Sequence, residues 1–291
     1  MESIFAVLVF IFGLLIGSFI NVLSLRFGFS ENSRPRSECQ ACTKQLHWYE
    51  LVPLVSYIVL CGKCSVCESK ISLQYPLVEL LTGVLFAWAY LAALPLLNVL
   101  ALVPLVLVFA FWALFVLLLV YDVRHTLVPL HFVLPLFAVA VLLRVYEWAV
   151  FDFTFVLYDA LFGFVALAGF IGLIVLVTRG RGMGVGDIYV AGVLGVFFGF
   201  VKGIEVLTLA FWIGAVVGVG MVLYSRIAHY LRTKKLYSQT TDRVEKGDRK
   251  GFRMKSEVAF VPFLFVAAVL GAYTDISAFE LVNVITQLLW Y

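Results

Sequence analysis

The chain has 291 residues, of which 63% are hydrophobic and only 13% charged, with a formal net charge of +3 and a mean hydropathy of +1.05. So little polar surface cannot cover a water-soluble globule of this length, which excludes a soluble enzyme or binding module and indicates an all-α, polytopic membrane protein. The small net charge says little alone; the placement of the basic residues carries the topology.

The first predicted span, Ile4 to Leu25, runs for 22 residues without a charge. That crosses a hydrocarbon core of about 30 Å at about 1.5 Å per residue. A cleaved signal peptide fits badly, because Glu2 stands where a basic segment would be needed and GSFINVLSLR offers no small-x-small cleavage site. Residues 26–76 form a polar loop carrying all five cysteines. From Leu80 to Tyr121 there is again no charge, too long a run for one span and interrupted by Pro95 and Asn98, so two spans are predicted at 77–97 and 99–120. Further spans are predicted at 127–147, 154–178, 186–202, 205–224 and 258–274, about eight in all. The tail from Ile276 to Tyr291 reads as an interfacial helix on the outer side. The chain thus divides into a first membrane helix (1–25), a small loop domain (26–76) and a membrane domain (77–291) with a basic loop at 225–257.

Eight spans place 26–76, 122–126, 179–185 and 225–257 on one side of the membrane, and these hold 19 of the 21 Lys and Arg. Basic loops are retained in the cytoplasm. Both termini are therefore expected outside it, with Arg144 and Lys202 snorkelling outward from span ends.

This topology sets Asp122, in VYDVRHTLVP, and Asp187, in GMGVGDIYV, at the same depth near the cytoplasmic face. An ionised carboxylate near hydrocarbon is costly and marks a functional site. Two carboxyls sharing a water are the minimal equipment of an aspartic protease, one polarising the scissile carbonyl while the other activates the water. Gly184 and Gly186 are expected to let the chain unwind before Asp187 and to admit a substrate backbone. The plainer alternative makes Asp187 a helix cap in a glycine-rich turn. Other acids read as bland: Glu79 and Asp159 lie near span ends, and Glu147, Asp152, Asp275 and Glu280 are expected in solvent outside.

In the loop domain, Cys39-x-x-Cys42 is followed, after 21 residues, by Cys64-x-x-Cys67. Two such thiolate pairs form a tetrahedral, closed and hence structural zinc site. A disulfide framework competes, but a cytoplasmic loop is reducing. Cys61 also pairs as Cys61-x-x-Cys64; it is taken as the spare because it ends the apolar run LVSYIVLC. His47, His125, His131 and His229 are scattered and suggest no second metal site.

Several of these stretches together resemble the type IV prepilin peptidases, or leader peptidase/N-methyltransferases: GLLIGSFINVLSLR at 13–26, the cysteine-bearing segment 39–83, YDVRHTLVP at 121–129 and GMGVGDIYVAGVLGVFFG at 182–199. The resemblance implies a bacterial inner-membrane enzyme that cleaves the basic leader of prepilins and pseudopilins at the cytoplasmic face. It also implies methylation of the new N-terminus from S-adenosylmethionine. It makes Asp122 and Asp187 the catalytic pair and Cys39, Cys42, Cys64 and Cys67 the zinc ligands, with no nucleic acid as partner. Leu130 and Tyr189 depart from the family pattern, where an acid and a lysine are common, and the basic segment 226–256 is long.

YD paired with GVGD also resembles presenilin and signal peptide peptidase, but those lack the four-cysteine loop, and VPFL at 261–264 matches their third motif poorly. A proton-carrying transporter or an assembly scaffold would be non-enzymatic; against it, the sequence has no inverted repeat of broken helices.

Overall fold

The computed structural model describes residues 2–27, 37–94, 101–151, 154–180, 183–237 and 259–274. Pro95, Asn98, Asp152, Gly182, Asp275, Glu280, residues 238–257 of the basic loop and the tail from Ile276 lie outside the described residues. Helices α1 (Glu2–Arg26), α2 (Val55–Val59), α3 (Gln74–Ala93), α4 (Leu102–His125), α5 (Leu130–Phe151), α6 (Phe155–Thr178), α7 (Val185–Phe198), α8 (Phe200–Tyr237) and α9 (Val261–Tyr273) carry the fold. Among the described residues six helices are long and apolar enough to cross a membrane, and α7 and α9 are shorter apolar helices, so the expected eight segments are all present.

Three boundaries differ from the sequence reading. The predicted loop 122–126 is instead the last turn of α4, which runs to His125 because Arg124 and His125 suit the negative end of the helix dipole. The junction of the sixth and seventh segments falls at Gly199, not at 203–204: its φ of +78° breaks the helix, and Asp159 at the start of α6 accepts the Phe200 N–H at 3.0 Å to restart it. α8 then continues as one 38-residue helix into what reads as basic loop.

Glycines set the closest helix contacts, as expected where packing rather than hydrophobicity drives association in lipid. A methyl on Gly17 of α1 would lie 2.7 Å from the Cα of Glu79 on α3. Gly163 of α6 and Gly195 of α7 press backbone against backbone, each occupying the space a Cβ on the other would need. α4 runs through the middle, with Phe111, Trp112, Phe115 and Leu118 fully buried. Its Phe111 stacks on Phe197 of α7 at 3.8 Å, and its Phe115 meets Phe265 of α9 edge-on at 5.1 Å. Arg144 does not snorkel: its guanidinium donates to the carbonyls of Val196 and Phe197 at the end of α7 and to Glu147, which is thereby an ion-pair partner and not a free solvated acid. Those carbonyls are otherwise orphaned at a helix end, so Arg144 fixes α7 from its far terminus.

Candidate active site

α4 ends where Thr126 turns left-handed, φ +51°, and its N–H closes on the Asp122 carbonyl at 2.7 Å. That short return places the chain from Leu127 to Pro129 over the start of α7. Val128 fills the space beside Gly186, where a Cβ would lie 2.5 Å from the Val128 Cβ. Asp122, at the end of α4, and Asp187, in the first turn of α7, are both buried, at 4% and 7% exposure, and the contact of Val128 with Gly186 joins the two chain segments that carry them.

Asp187 does not cap α7 from outside; it lies in the first turn, and its Oδ2 accepts the Gly184 N–H at 3.1 Å. A carboxylate there is favoured by the exposed amides and dipole of the helix start. Asp122 is different. Its Oδ2 is a buried oxygen without a hydrogen-bond partner among the described residues. Such an atom is costly in a closed interior and needs a reason.

Gly186 proves to be helical. Its missing side chain is taken up by Val128, so this glycine serves the contact that brings the end of α4 to the start of α7, without unwinding. Gly184 has extended backbone, φ −77° and ψ 153°, and a Cβ there would come no nearer than 3.7 Å to Asp187 Oδ2. A methyl at Gly184 would thus lie in ordinary contact with the Asp187 carboxyl.

The cysteine domain consists of two matching turns. Cys39 N–H bonds the Lys44 carbonyl and Thr43 N–H the Cys39 carbonyl; Cys64 N–H bonds the Ser69 carbonyl and Glu68 N–H the Cys64 carbonyl. Thr43 and Glu68, each just after the second cysteine of its pair, are both left-handed, at φ +56° and +54°. The four sulfurs of Cys39, Cys42, Cys64 and Cys67 lie within 4.8 Å of one another, with Cys39–Cys67 at 3.8 Å and Cys42–Cys64 at 4.0 Å. A tetrahedral ion with metal–sulfur bonds of about 2.3 Å separates its sulfurs by about 3.8 Å, so the cluster fits a zinc-sized ion. The amides of Cys42 and Ala41, aimed at Cys39, hold its thiol down at about 6, which favours the ligating thiolate. Cys61 is exposed and stands outside this cluster.

Two carboxylates that read as unremarkable in sequence organise this region. Glu50 is buried between the two turns: Lys44 and Ser65 donate to its Oε1 and the His47 amide to its Oε2. Ser65, the His47 amide and Lys44 hold that carboxyl at about 2. Glu79, buried on α3, accepts the Leu54 N–H at 2.9 Å and so ties the cysteine domain to the membrane helices. Arg124, two residues beyond Asp122, donates to Gln74 at the start of α3. The sequence held little sign of the longer ties, because Ser65–Glu50, Leu54–Glu79 and Arg124–Gln74 join residues 15, 25 and 50 positions apart.

Comparison with known proteins gives a consistent family. The model of the bacterial peptidase A24 N-terminal domain matches residues 11–93, and that of the type IV leader peptidase family matches residues 107–219. Proteins named prepilin leader peptidase/N-methyltransferase are similar along most of the chain. One from Myxococcus xanthus is 34% identical over 230 residues, 76% of this chain and 64% of that protein. One from Bacillus subtilis is 35% identical over 230 residues, covering 76% and 85%. One from Pseudomonas putida is 31% identical over 241 residues, covering 74% and 80%. No solved structure gives a significant match.

Proposed function

Because the chain belongs to the type IV leader peptidase family, we propose that it is a membrane aspartic endopeptidase that removes the basic leader of prepilins and pseudopilins, with Asp122 and Asp187 as its catalytic pair. The observation that carries this reading is the pairing itself: two carboxyls from distant helices, buried together, with one oxygen of Asp122 unpartnered.

The pair shares one proton. As a water attacks the scissile carbonyl carbon, the ionised carboxyl takes a proton from it while the protonated one gives a proton to the carbonyl oxygen, producing a gem-diol. Collapse then breaks the C–N bond: the proton held by the first carboxyl passes to the leaving amine, the N-terminus of the mature pilin, while one gem-diol hydroxyl returns its proton to the second carboxyl and becomes the carbonyl of the leader's new C-terminus. A helical peptide bond is shielded by its own turn, so the substrate must be extended at the cut, and the extended backbone at Gly184, beside Asp187, is where it enters.

The basic-residue pattern orients the dyad and the cysteine domain to the cytoplasm and the termini outward, in a bacterial inner membrane. A prepilin inserted by its apolar helix leaves its basic leader on that same side. Zinc, held by Cys39, Cys42, Cys64 and Cys67, has a structural role, since four sulfurs leave no position for a reacting water. The relatives' names also support N-methylation of the new terminus. When bound, S-adenosylmethionine supplies the methyl group; cleavage does not require it.

The test is to incubate the purified protein with a prepilin, with and without S-adenosylmethionine, and weigh the product. The expected product has lost its leader at one bond in both cases and gains one methyl group only with S-adenosylmethionine. An intact prepilin, or cuts within its apolar helix, would contradict the reading and favour a presenilin-like protease.

A further inference from the structure

The cysteine domain carries a band of exposed apolar side chains for which cleavage chemistry has no use. Trp48, Ile58 and Val59 are 79%, 72% and 74% exposed, and Tyr49, Leu51 and Val55 beside them are also exposed. From Leu46 to Leu60 the one acidic or basic group other than His47 is Glu50, and it is turned inward to Lys44 at 2.9 Å. The outer face of this segment is thus apolar and aromatic. Trp and Tyr flanking aliphatic residues are what a membrane–water interface selects.

Its depth is set by Glu79. That residue lies in the second turn of α3, about 7.5 Å along the axis from Gln74, where this membrane helix begins, at about 1.5 Å per residue. Its carboxyl accepts the Leu54 N–H at 2.9 Å, and α1 packs directly on its backbone at Gly17. Leu54 is held at φ +59° and ψ −46°, a conformation rarely adopted by a residue with a side chain. The middle of the segment is therefore fastened to a group inside the helix bundle and cannot stand off in water.

We propose that residues 48–59 form a membrane-interface anchor, so that the cysteine domain lies on the leaflet with Trp48, Ile58 and Val59 among lipid acyl chains. The exposed Lys63 and Lys70 that follow outnumber the exposed Glu68 between them and add attraction to anionic headgroups. The metal cluster is then a rigid clip over a lipid-seated segment. This inference rests on the chain spanning a membrane and is independent of the protease reading.

The full-length, metal-bound protein is placed in nanodiscs of phosphatidylcholine and phosphatidylglycerol, and the emission of Trp48 is taken as the difference between wild type and Trp48→Phe. Lipids brominated on the acyl chain should remove most of that emission, and iodide in the buffer should remove little. Quenching by iodide and not by brominated lipid would overturn the anchor. A benzophenone amino acid at position 58 gives a second reading in the folded protein. Crosslinks to phospholipid are expected; crosslinks only to a second copy of the chain or to an added prepilin would show another occupant and reject the proposal.

Discussion

The dyad and the cysteine domain both bury carboxyls, and they treat them in opposite ways. Glu50 has both oxygens taken up, by Lys44 and Ser65 on one and the His47 amide on the other. Asp187 keeps one backbone donor, and Asp122 has an oxygen without a partner among the described residues. A buried carboxyl that serves architecture is saturated by its surroundings, because unsatisfied polar atoms are costly. Under the proposed mechanism, one kept short of partners is left for substrate and water. The supports differ as well. The cysteine domain closes on itself through local turns and a cluster of four cysteine sulfurs, whereas the aspartates depend on where α4 and α7 are held by Val128, Gly195 and Arg144.

Removing the unsatisfied acids should have the largest effect on rate and little on folding. Asp122→Asn or Asp187→Asn is expected to lower prepilin cleavage by roughly 10⁴-fold, while thermal unfolding is unchanged or shifted upward. Turnover and unfolding measured on the same preparation check this. A variant that cleaves well, or one lost only because it fails to fold, would break the contrast.

This contrast was half legible in the sequence. Hydrophobic runs found eight apolar segments, six of them helices long enough to span among the described residues, because apolar runs of that length stand out. The aspartates and the four cysteines stood out because charge in a membrane and paired thiols are rare enough to need a purpose. What stayed hidden depends on contacts between segments. Glu79 looked like a bland acid near a span end until Leu54, 25 residues earlier, was found on its carboxyl. Gly186 suggested a flexible hinge, and only the fold reveals Val128 against it. The end of α4 and the length of α8 were misplaced because basic residues read as loop, although they are also favourable in the last turns of helices.

In the cysteine domain, breaking the cluster should come next in size. One zinc ion per chain is expected by native mass spectrometry, lost on Cys39→Ser, Cys42→Ser, Cys64→Ser or Cys67→Ser and kept in Cys61→Ser. Metal that departs only with Cys61 would overturn the assignment.

Glu50→Ala should then lower stability, because it removes the common acceptor of Lys44, Ser65 and the His47 amide; denaturant unfolding of the full chain measures it. The acid limb sharpens the same point. Glu50 is held at about 2, below its ordinary 4.5, so its contribution is complete above 4.5 and disappears as pH falls toward 2. Subtracting the Glu50→Gln profile from wild type, which cancels cysteine protonation, should leave a stability difference that shrinks across that window. A flat difference would remove Glu50 from the account.

The smallest effects separate the two glycines. Gly186→Ala must push Val128 aside and is expected to cost about 1–3 kcal/mol, with activity falling alongside stability. Gly184→Ala sets a methyl in ordinary contact with Asp187 Oδ2, at 3.7 Å and an ordinary φ, so stability should hold while KM for prepilin rises. Equal behaviour of the two variants in unfolding and kinetics would mean that neither Val128 packing nor substrate entry distinguishes them.

The central claim is that Asp122 and Asp187 act as one unit on one water. It is tested most directly by cleavage rates of Asp122→Asn, Asp187→Asn and the double variant, each verified as folded. Residues that act together are strongly non-additive, so the double variant is predicted to be no slower than the slower single variant. Losses that multiply, or one aspartate whose replacement leaves cleavage intact, would contradict a shared site.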